Sequence, residues 1–151
     1  EYNYKTFLAK DLNEKSLDQF KIDARQPEIL LIKGLSMFLS KNKKFEVIDA
    51  RSRERFNGDI PEPRKGLRRG NIKNSFCLPF DHCLNKNKTF KSKDEIKIIF
   101  ETCLKSVNEK DVVFSCGSGV TACVLALAYS LINDKYHPTI YDGSWAEYGM
   151  L

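Results

Sequence analysis

Residues 112–123 read VVFSCGSGVTAC, and this stretch decides the predicted fold. Its first three residues, Val112-Val113-Phe114, are apolar and β-prone, which predicts a short buried strand. The two glycines that follow allow a tight backbone turn. From Val120 to Ile132 the chain has hardly any polar face, which predicts a buried helix. The stretch therefore predicts a strand, a glycine-rich loop and a helix, with Cys116 in the loop.

The rest of the chain contains more elements of the same two kinds. An amphipathic helix is predicted after Ser92, because Ser92 and Glu95 have the spacing of a capping box. Its apolar face comprises Ile96, Ile99, Phe100, Cys103, Leu104 and Val107. A short helix is expected around Leu35 to Leu39. Further short β-prone runs are Ile29–Ile32, Phe45–Ala50, Phe76–Leu78 and Thr139–Tyr141.

Strands that alternate with helices are typical of an α/β fold. We therefore expect a mostly parallel five-stranded sheet with helices on both faces. Ligands of such sheets bind at the carboxyl ends of the strands. At 151 residues the chain has the length of one ordinary domain. Residues 1–28 are polar and irregular, so we expect a linker or interdomain arm there and one domain over residues 29–151.

Composition excludes several classes of protein. The hydrophobic fraction is 42%, and no apolar run approaches the roughly 18 residues of a membrane span, so we expect no membrane partner. The formal net charge is +5. The lysines are spread among Asn, Glu and Asp instead of forming one basic stripe, which indicates a solvated surface and no nucleic-acid partner.

The cysteine and histidine counts restrict the chemistry. The 5 cysteines lie at positions 77, 83, 103, 116 and 123, with no Cys-x-x-Cys pair and no zinc spacing. We therefore expect reduced thiols in an intracellular compartment and no metal ligands. The chain contains 2 histidines, His82 and His137. This low number argues against a Ser-His-Asp hydrolase and against a His-rich metal site.

Cys116 is the candidate nucleophile. The pattern places its thiol where the unpaired amides of a helix N-terminus converge, and the glycines let successive N–H groups turn inward. Such a field favours the thiolate, which is the reactive form. The alternative is a small buried cysteine before a glycine turn. Cys103 and Cys123 are expected in the core, and Cys77 and Cys83 stay undecided.

Residues Cys116 to Cys123, CGSGVTAC, resemble the active-site loop of the 3-mercaptopyruvate sulfurtransferases in the rhodanese superfamily. Residues 47–51, Arg55-Phe56 and the segment Pro61-Glu62-Pro63-Arg64 resemble the arginine-bearing segment of that family. Residues 141–145 resemble its C-terminal segment. The resemblance covers roughly residues 29–151 and implies a rhodanese-like catalytic domain, the second half of a two-domain protein.

The resemblance also implies roles for individual residues. Cys116 would carry sulfur as a persulfide, with Ser118 as a second catalytic residue. Arg55 and Arg64 would bind the substrate, since a guanidinium can hold a carboxylate through paired hydrogen bonds. The loop that would surround the negative charge comprises Gly117, Ser118, Gly119, Val120 and Thr121. No cofactor is implied.

Other residues near these motifs receive weaker assignments. Asp142, Ser144 and Trp145 are candidate contacts near the loop, although a simple Asp-Gly turn and a packed Trp are the alternatives. The remaining arginines of the two motif regions are expected to be surface charges: Arg51, Arg53, Arg68 and Arg69.

The implied partners follow from the same family. The sulfur donor would be 3-mercaptopyruvate, releasing pyruvate, or thiosulfate, releasing sulfite. The acceptor would be cyanide or a thiol, such as that of a thioredoxin-type protein. An N-terminal rhodanese-like domain of the same protein would dock on an exposed apolar patch. The location would be cytoplasmic or mitochondrial.

Two other functions remain open. A non-catalytic rhodanese-like binding or regulatory module usually lacks the cysteine, whereas this chain has Cys116 together with Arg55 and Arg64. A cysteine phosphatase of the same fold needs a wider loop that ends in Arg. Position 122 is Ala and the loop contains no Arg, so the phosphatase is the less favoured of the two.

Overall fold

A computed structural model describes residues 30–32, 45–104, 112–133, 135 and 139–150. The expected arm at 1–28 and the expected helix around 35–39 lie outside the described residues. The strands are β1 (Leu30–Ile32), β2 (Glu46–Asp49), β3 (Phe76–Cys77), β4 (Val112–Ser115) and β5 (Thr139–Tyr141). The α-helices are α1 (Arg53–Asn57), α2 (Lys93–Cys103), α3 (Val120–Ser130) and α4 (Ser144–Tyr148), with a 3₁₀ helix at Phe80–Cys83.

The five strands form one parallel sheet in the order β1-β5-β4-β2-β3. This confirms the predicted five-stranded α/β architecture. β4 is the central strand, and its carboxyl end lies between those of β2 and β5. Since all strands run the same way, the loops after β2, β4 and β5 meet at one edge of the sheet.

The sheet buries side chains on both faces. Consecutive residues of a strand point to opposite faces, so Val47 and Ile48 of β2 contribute to different cores. The larger core packs against α2 and α3. It contains an aromatic cluster of Phe100, Phe114 and Tyr129, whose ring centroids lie 5.0 to 6.2 Å apart in edge-on contacts.

The smaller core lies on the opposite face. Val113 and Tyr141 of the sheet pack there against Trp145 of α4 and against Ile72, and all four are buried. Helices therefore cover both faces of the sheet, as predicted.

Helix α2 begins where its capping box predicts. The Ser92 hydroxyl accepts a hydrogen bond from the Glu95 N–H, and the Glu95 carboxylate accepts one from the Ser92 N–H at 3.0 Å. These two bonds satisfy amides that a helix N-terminus otherwise leaves unpaired. Ile96 and Phe100 lie buried on its inner face.

Helix α3 is buried on one side only. Leu125 and Tyr129 are fully buried, whereas Val120 and Leu127 are 72% and 53% exposed. The prediction of a helix buried all round is therefore wrong, because the outer side of α3 carries apolar residues and periodicity cannot separate it from the inner side. Within the described residues no helix is both long and apolar enough to cross a membrane.

Candidate active site

Cys116 follows the last residue of the central strand β4 and is 1% exposed. Its sulfur accepts a hydrogen bond from a loop amide: the Ser118 N–H donates to Cys116 Sγ at 3.4 Å. The residue borders a cleft of about 240 Å³, called here the cysteine cleft. The cleft is lined by Arg55, Glu62, Pro63, Arg64, Leu67, Cys116, Gly117, Ser118, Val120 and Thr121.

Ser144 fixes the loop to the end of β5. Its hydroxyl accepts hydrogen bonds from the N–H groups of Cys116 and Gly119, each at 3.1 Å, and donates to the Tyr141 carbonyl at 2.7 Å. Ser144 is fully buried. One hydroxyl therefore holds both ends of the turn that carries the cysteine, and the sequence indicated this residue only as a candidate neighbour.

Helix α4 orients the peptide groups of the loop. The Trp145 N–H donates to the Cys116 carbonyl and the Ala146 N–H to the Gly117 carbonyl, both at 2.9 Å. In a trans peptide the carbonyl and the following N–H point in opposite directions. The N–H groups of Gly117 and Ser118 therefore point away from α4, in agreement with the Ser118 contact to sulfur.

Gly119 differs from the other loop residues. Its N–H is bonded to Ser144, so it does not face the sulfur. Its φ is 83°, a left-handed conformation, and a Cβ there would lie 3.1 Å from the Asp142 carbonyl oxygen. Both features require glycine. Val120 and Thr121 line the cleft at the first turn of α3, where amides lack partners within the helix.

The structure brings both predicted substrate arginines to the cysteine cleft. Arg55 of α1 lies over the loop: a Cβ on Gly117 would be 2.9 Å from Arg55 Nη2. Arg64 lies on the segment after α1 and is exposed. The roles of Cys116, Ser118, Arg55 and Arg64 remain predictions, but these residues share one cleft.

Sequence reasoning missed the acidic partner of Arg55. Glu62 Oε2 lies 2.6 Å from Arg55 Nη2, and Glu62 Oε1 lies 2.7 Å from Arg51 Nη1. Its side chain is 2% exposed. Glu62 stands two residues before Arg64 in the family-like segment, and that position was the only signal in the sequence.

The prediction that Arg51 is a surface charge is wrong. Arg51 is buried. Its guanidinium binds the buried Asp49 at 2.7 Å and donates a hydrogen bond to the Gly70 carbonyl at 2.9 Å. It also stacks 4.4 Å from the centre of the Trp145 ring. Two carboxylates and a carbonyl replace the water that an arginine otherwise requires, so its burial is tolerated.

The other cysteines lie outside the cysteine cleft. Burial raises the pKa of Cys77 and of Cys83 to about 11. Desolvation also raises the pKa of Cys103 and Cys123. Cys103 packs against the larger core, whereas Cys123 is exposed, so the core prediction for Cys123 is wrong. Its Sγ donates to the Gly119 carbonyl at 3.3 Å.

The arrangement suits attack by a thiolate on a small anion. The Ser118 amide contacts the sulfur, and two guanidinium groups border the same cleft. A thiolate is the nucleophilic form of cysteine, and arginines bind carboxylates or oxyanions. Among the described residues, no group of three or more His, Cys, Asp or Glu side chains could hold a metal ion.

This chain is similar to several known proteins. Thiosulfate/3-mercaptopyruvate sulfurtransferase 1, mitochondrial, from Arabidopsis thaliana is 43% identical over 104 residues, covering 69% of this chain and 27% of its own length. The 3-mercaptopyruvate sulfurtransferase of Mus musculus is 43% identical over 109 residues, covering 72% of this chain and 36% of its own. The crystal structure of Tum1 protein from Saccharomyces cerevisiae superimposes with a TM-score of 0.69 at 30% identity, over 81% of this chain and 43% of that one.

The chain thus spans less than half the length of these relatives. The family model for the rhodanese-like domain matches residues 36–150, which include the cysteine loop, both cleft arginines and the Ser144 segment. This chain belongs to the rhodanese-like domain family.

Proposed function

We propose that this chain is the cysteine-bearing catalytic domain of a sulfurtransferase that takes sulfur from 3-mercaptopyruvate. The observation that carries the proposal is the cysteine cleft, in which Cys116, Ser118, Arg55 and Arg64 lie together. The relatives named for 3-mercaptopyruvate or thiosulfate support the same reaction class.

The proposed reaction is a double displacement. The Cys116 thiolate attacks the sulfur of 3-mercaptopyruvate and a sulfur–sulfur bond forms. The carbon–sulfur bond of the donor breaks, its electron pair leaves as the enolate of pyruvate, and a proton completes pyruvate. An acceptor thiolate or cyanide then attacks the outer sulfur of the persulfide, and Cys116 leaves as a thiolate. Over the complete cycle the donor carbon is reduced by two electrons and the acceptor is oxidised by two, so the enzyme returns to its starting state without an external oxidant or reductant.

The cleft residues have separate tasks in this reaction. Arg64 and Arg55 would hold the carboxylate and carbonyl oxygens of the donor so that its sulfur faces Cys116. The Ser118 N–H already points at the sulfur, and it would stabilise negative charge there together with the first amides of α3. The Ser118 side chain, at the wall of the same cleft, is the proposed second catalytic group.

The loop composition supports 3-mercaptopyruvate as the preferred donor. Gly117 and Ser118 are small and uncharged, so the loop has room for an organic donor and supplies no cation of its own. Thiosulfate carries two negative charges and would need more positive charge beside the sulfur. Thiosulfate is therefore the proposed secondary donor, with sulfite as its product.

We also propose an N-terminal rhodanese-like domain and an acceptor thiol as partners. The relatives are more than twice as long as the matched region. Val120 is 72% exposed at the rim of the cysteine cleft, and Leu127 is 53% exposed further along the same helix. This apolar side of α3 is the proposed contact with the additional domain.

Intact mass spectrometry tests the central claim. After the protein is mixed with 3-mercaptopyruvate, its mass should increase by one sulfur atom, and pyruvate should appear in equal amount. Cys116→Ser should show neither change, whereas Cys83→Ser should show both. A sulfur adduct that persists in Cys116→Ser would overturn the proposal, as would turnover of thiosulfate far faster than of 3-mercaptopyruvate.

A further inference from the structure

We propose that Glu62 determines the donor charge that the cysteine cleft accepts. By pairing with Arg55, Glu62 leaves Arg64 as the uncompensated cation of the cleft, which favours a singly charged donor over a doubly charged one. This inference rests on the proposed function, because it concerns the choice between donors at that same site.

The first support is the contact between Glu62 and Arg55. Glu62 Oε2 lies 2.6 Å from Arg55 Nη2, and Oε1 lies 3.4 Å from Arg55 Nε. The Glu62 side chain is 2% exposed and that of Arg55 is 26% exposed. The Glu62 carboxylate is almost fully shielded from water, so its charge is poorly screened. It therefore cancels much of the positive electrostatic potential of Arg55 in the cleft.

The second support is that Glu62 also forms an ion pair with the buried Arg51. Arg51 Nη1 binds Glu62 Oε1 at 2.7 Å, and Arg51 is itself paired with Asp49 at 2.7 Å. The four groups comprise two carboxylates and two guanidiniums, so the network is neutral. With a buried guanidinium fixing one of its oxygens, Glu62 is not free to turn away from Arg55 when a donor enters.

The third support is the state of Arg64. It lines the same cleft and is exposed, and it forms no ion pair or hydrogen bond with any residue in the described part of the chain. Apart from the reacting Cys116, the charged side chains that line the cleft are Arg55, Glu62 and Arg64, which sum to one positive charge. One positive charge matches the single carboxylate of 3-mercaptopyruvate and leaves thiosulfate with one charge unmatched.

The variant Glu62→Gln tests this assignment. Glutamine has nearly the same shape and can still accept from Arg51, but it does not cancel the charge of Arg55. The ratio of kcat/KM for thiosulfate to kcat/KM for 3-mercaptopyruvate should rise about three- to tenfold at low salt, and the rise should shrink as salt increases. Glu54→Gln is the matched control, since Glu54 is an exposed carboxylate of α1 and its replacement changes the net charge equally.

A second measurement does not depend on sulfur transfer. The rates at which iodoacetate and iodoacetamide alkylate Cys116 can be compared, because the two reagents differ in one negative charge. Glu62→Gln should raise the iodoacetate-to-iodoacetamide ratio about threefold or more, and Glu54→Gln should leave it unchanged. If sulfur transfer is absent but this ratio rises, the proposed function fails while the role of Glu62 holds.

A third variant keeps the test valid if Glu62→Gln does not fold. Arg64 is exposed, so Arg64→Gln should fold normally, and it should lower the iodoacetate-to-iodoacetamide ratio at Cys116 by a similar factor. An unchanged ratio in Arg64→Gln would overturn the inference, because Arg64 would then not be the uncompensated cation. A folded Glu62→Gln with an unchanged or lower ratio would overturn it equally.

Discussion

The guanidinium of Arg55 lies directly over Gly117, and a Cβ on Gly117 would be 2.9 Å from Arg55 Nη2. A side chain larger than that of glycine at position 117, directly after Cys116, would therefore clash with Arg55. A side chain at position 117 would displace the guanidinium from its place beside Glu62. The observed position of Arg55 therefore depends on the absence of a side chain at Gly117.

The first prediction concerns this contact. Gly117→Ala places a methyl group too close to Arg55, so the guanidinium must move, and kcat/KM for 3-mercaptopyruvate should fall about ten- to a hundredfold. Steady-state kinetics measure the loss. In Arg55→Ala the added methyl group has nothing to displace, so the double variant should be no worse than Arg55→Ala alone. Fully additive losses would show that the two residues act separately.

The second prediction concerns the binding of the donor carboxylate. Arg64→Ala and Arg55→Ala should each lower kcat/KM for 3-mercaptopyruvate by about ten- to a hundredfold, because each removes charge-assisted hydrogen bonds. Arg53→Ala is the control, since Arg53 lies on α1 beside Arg55 but does not line the cysteine cleft. Persulfide formation from a donor without a carboxylate should change little. Unaltered kinetics in both cleft variants would refute the assignment of the arginines.

The third prediction concerns the buried hydroxyl of Ser144. Ser144→Ala leaves the N–H groups of Cys116 and Gly119 without their acceptor, which should lower the free energy of unfolding by about 2 to 4 kcal/mol. Urea denaturation measures the change. Ser130→Ala removes a hydroxyl that bonds only to the Leu127 carbonyl at the surface, and it should cost far less. Equal losses in the two variants would contradict the role of Ser144 in holding the loop.

The fourth prediction concerns Arg51. Arg51→Met removes the guanidinium between two carboxylates and leaves Asp49 buried without its ion pair. The free energy of unfolding should fall by about 3 to 5 kcal/mol, because an unpaired buried charge is costly. Arg53→Met, at an exposed position two residues away, should change it little. A marginal effect of Arg51→Met in urea denaturation would show that the network is unimportant for stability.

The fifth prediction concerns thiol reactivity and its pH dependence. Cys77 and Cys83 have pKa values near 11, so at pH 8 only about one in a thousand of each is thiolate. Iodoacetamide at that pH should therefore modify Cys116 before Cys77 or Cys83. Since a raised pKa delays ionisation, the selectivity should decline as the pH rises toward 11. Peptide mapping that finds Cys77 or Cys83 modified before Cys116 at pH 8 would contradict this.

Local patterns predicted the five strands and the two longer helices, α2 and α3, but not the short helices α1 and α4 or the 3₁₀ helix at Phe80–Cys83. Helix α2 begins at the predicted capping box, and the strand-loop-helix around Cys116 is present as predicted. Capping, glycine turns and apolar periodicity depend on residues that are close in the sequence, so they can be recognised without coordinates. The resemblance to the rhodanese superfamily located Cys116, Arg55 and Arg64 in the same way, through short motifs.

The surroundings of each charge could not be predicted in this way. The residues next to Arg51 in the sequence do not distinguish it from an exposed arginine. It is buried because its guanidinium pairs with Asp49 and with Glu62, which lies 11 residues away. Ser144 reaches Cys116 across 28 positions. The contact between Ser144 and Cys116 forms only when β4 and β5 lie side by side, and the contact between Arg51 and Glu62 forms only when the segment after β2 folds back.

Patterns along the chain were thus enough to predict the strands, the two longer helices and the candidate residues Cys116, Arg55 and Arg64. Only the tertiary structure decided which arginine is compensated, which hydroxyl holds the loop, and which side of α3 is exposed. The physical reason is that burial and ion pairing depend on distances between elements far apart in the chain, whereas periodicity and capping depend only on neighbours along it.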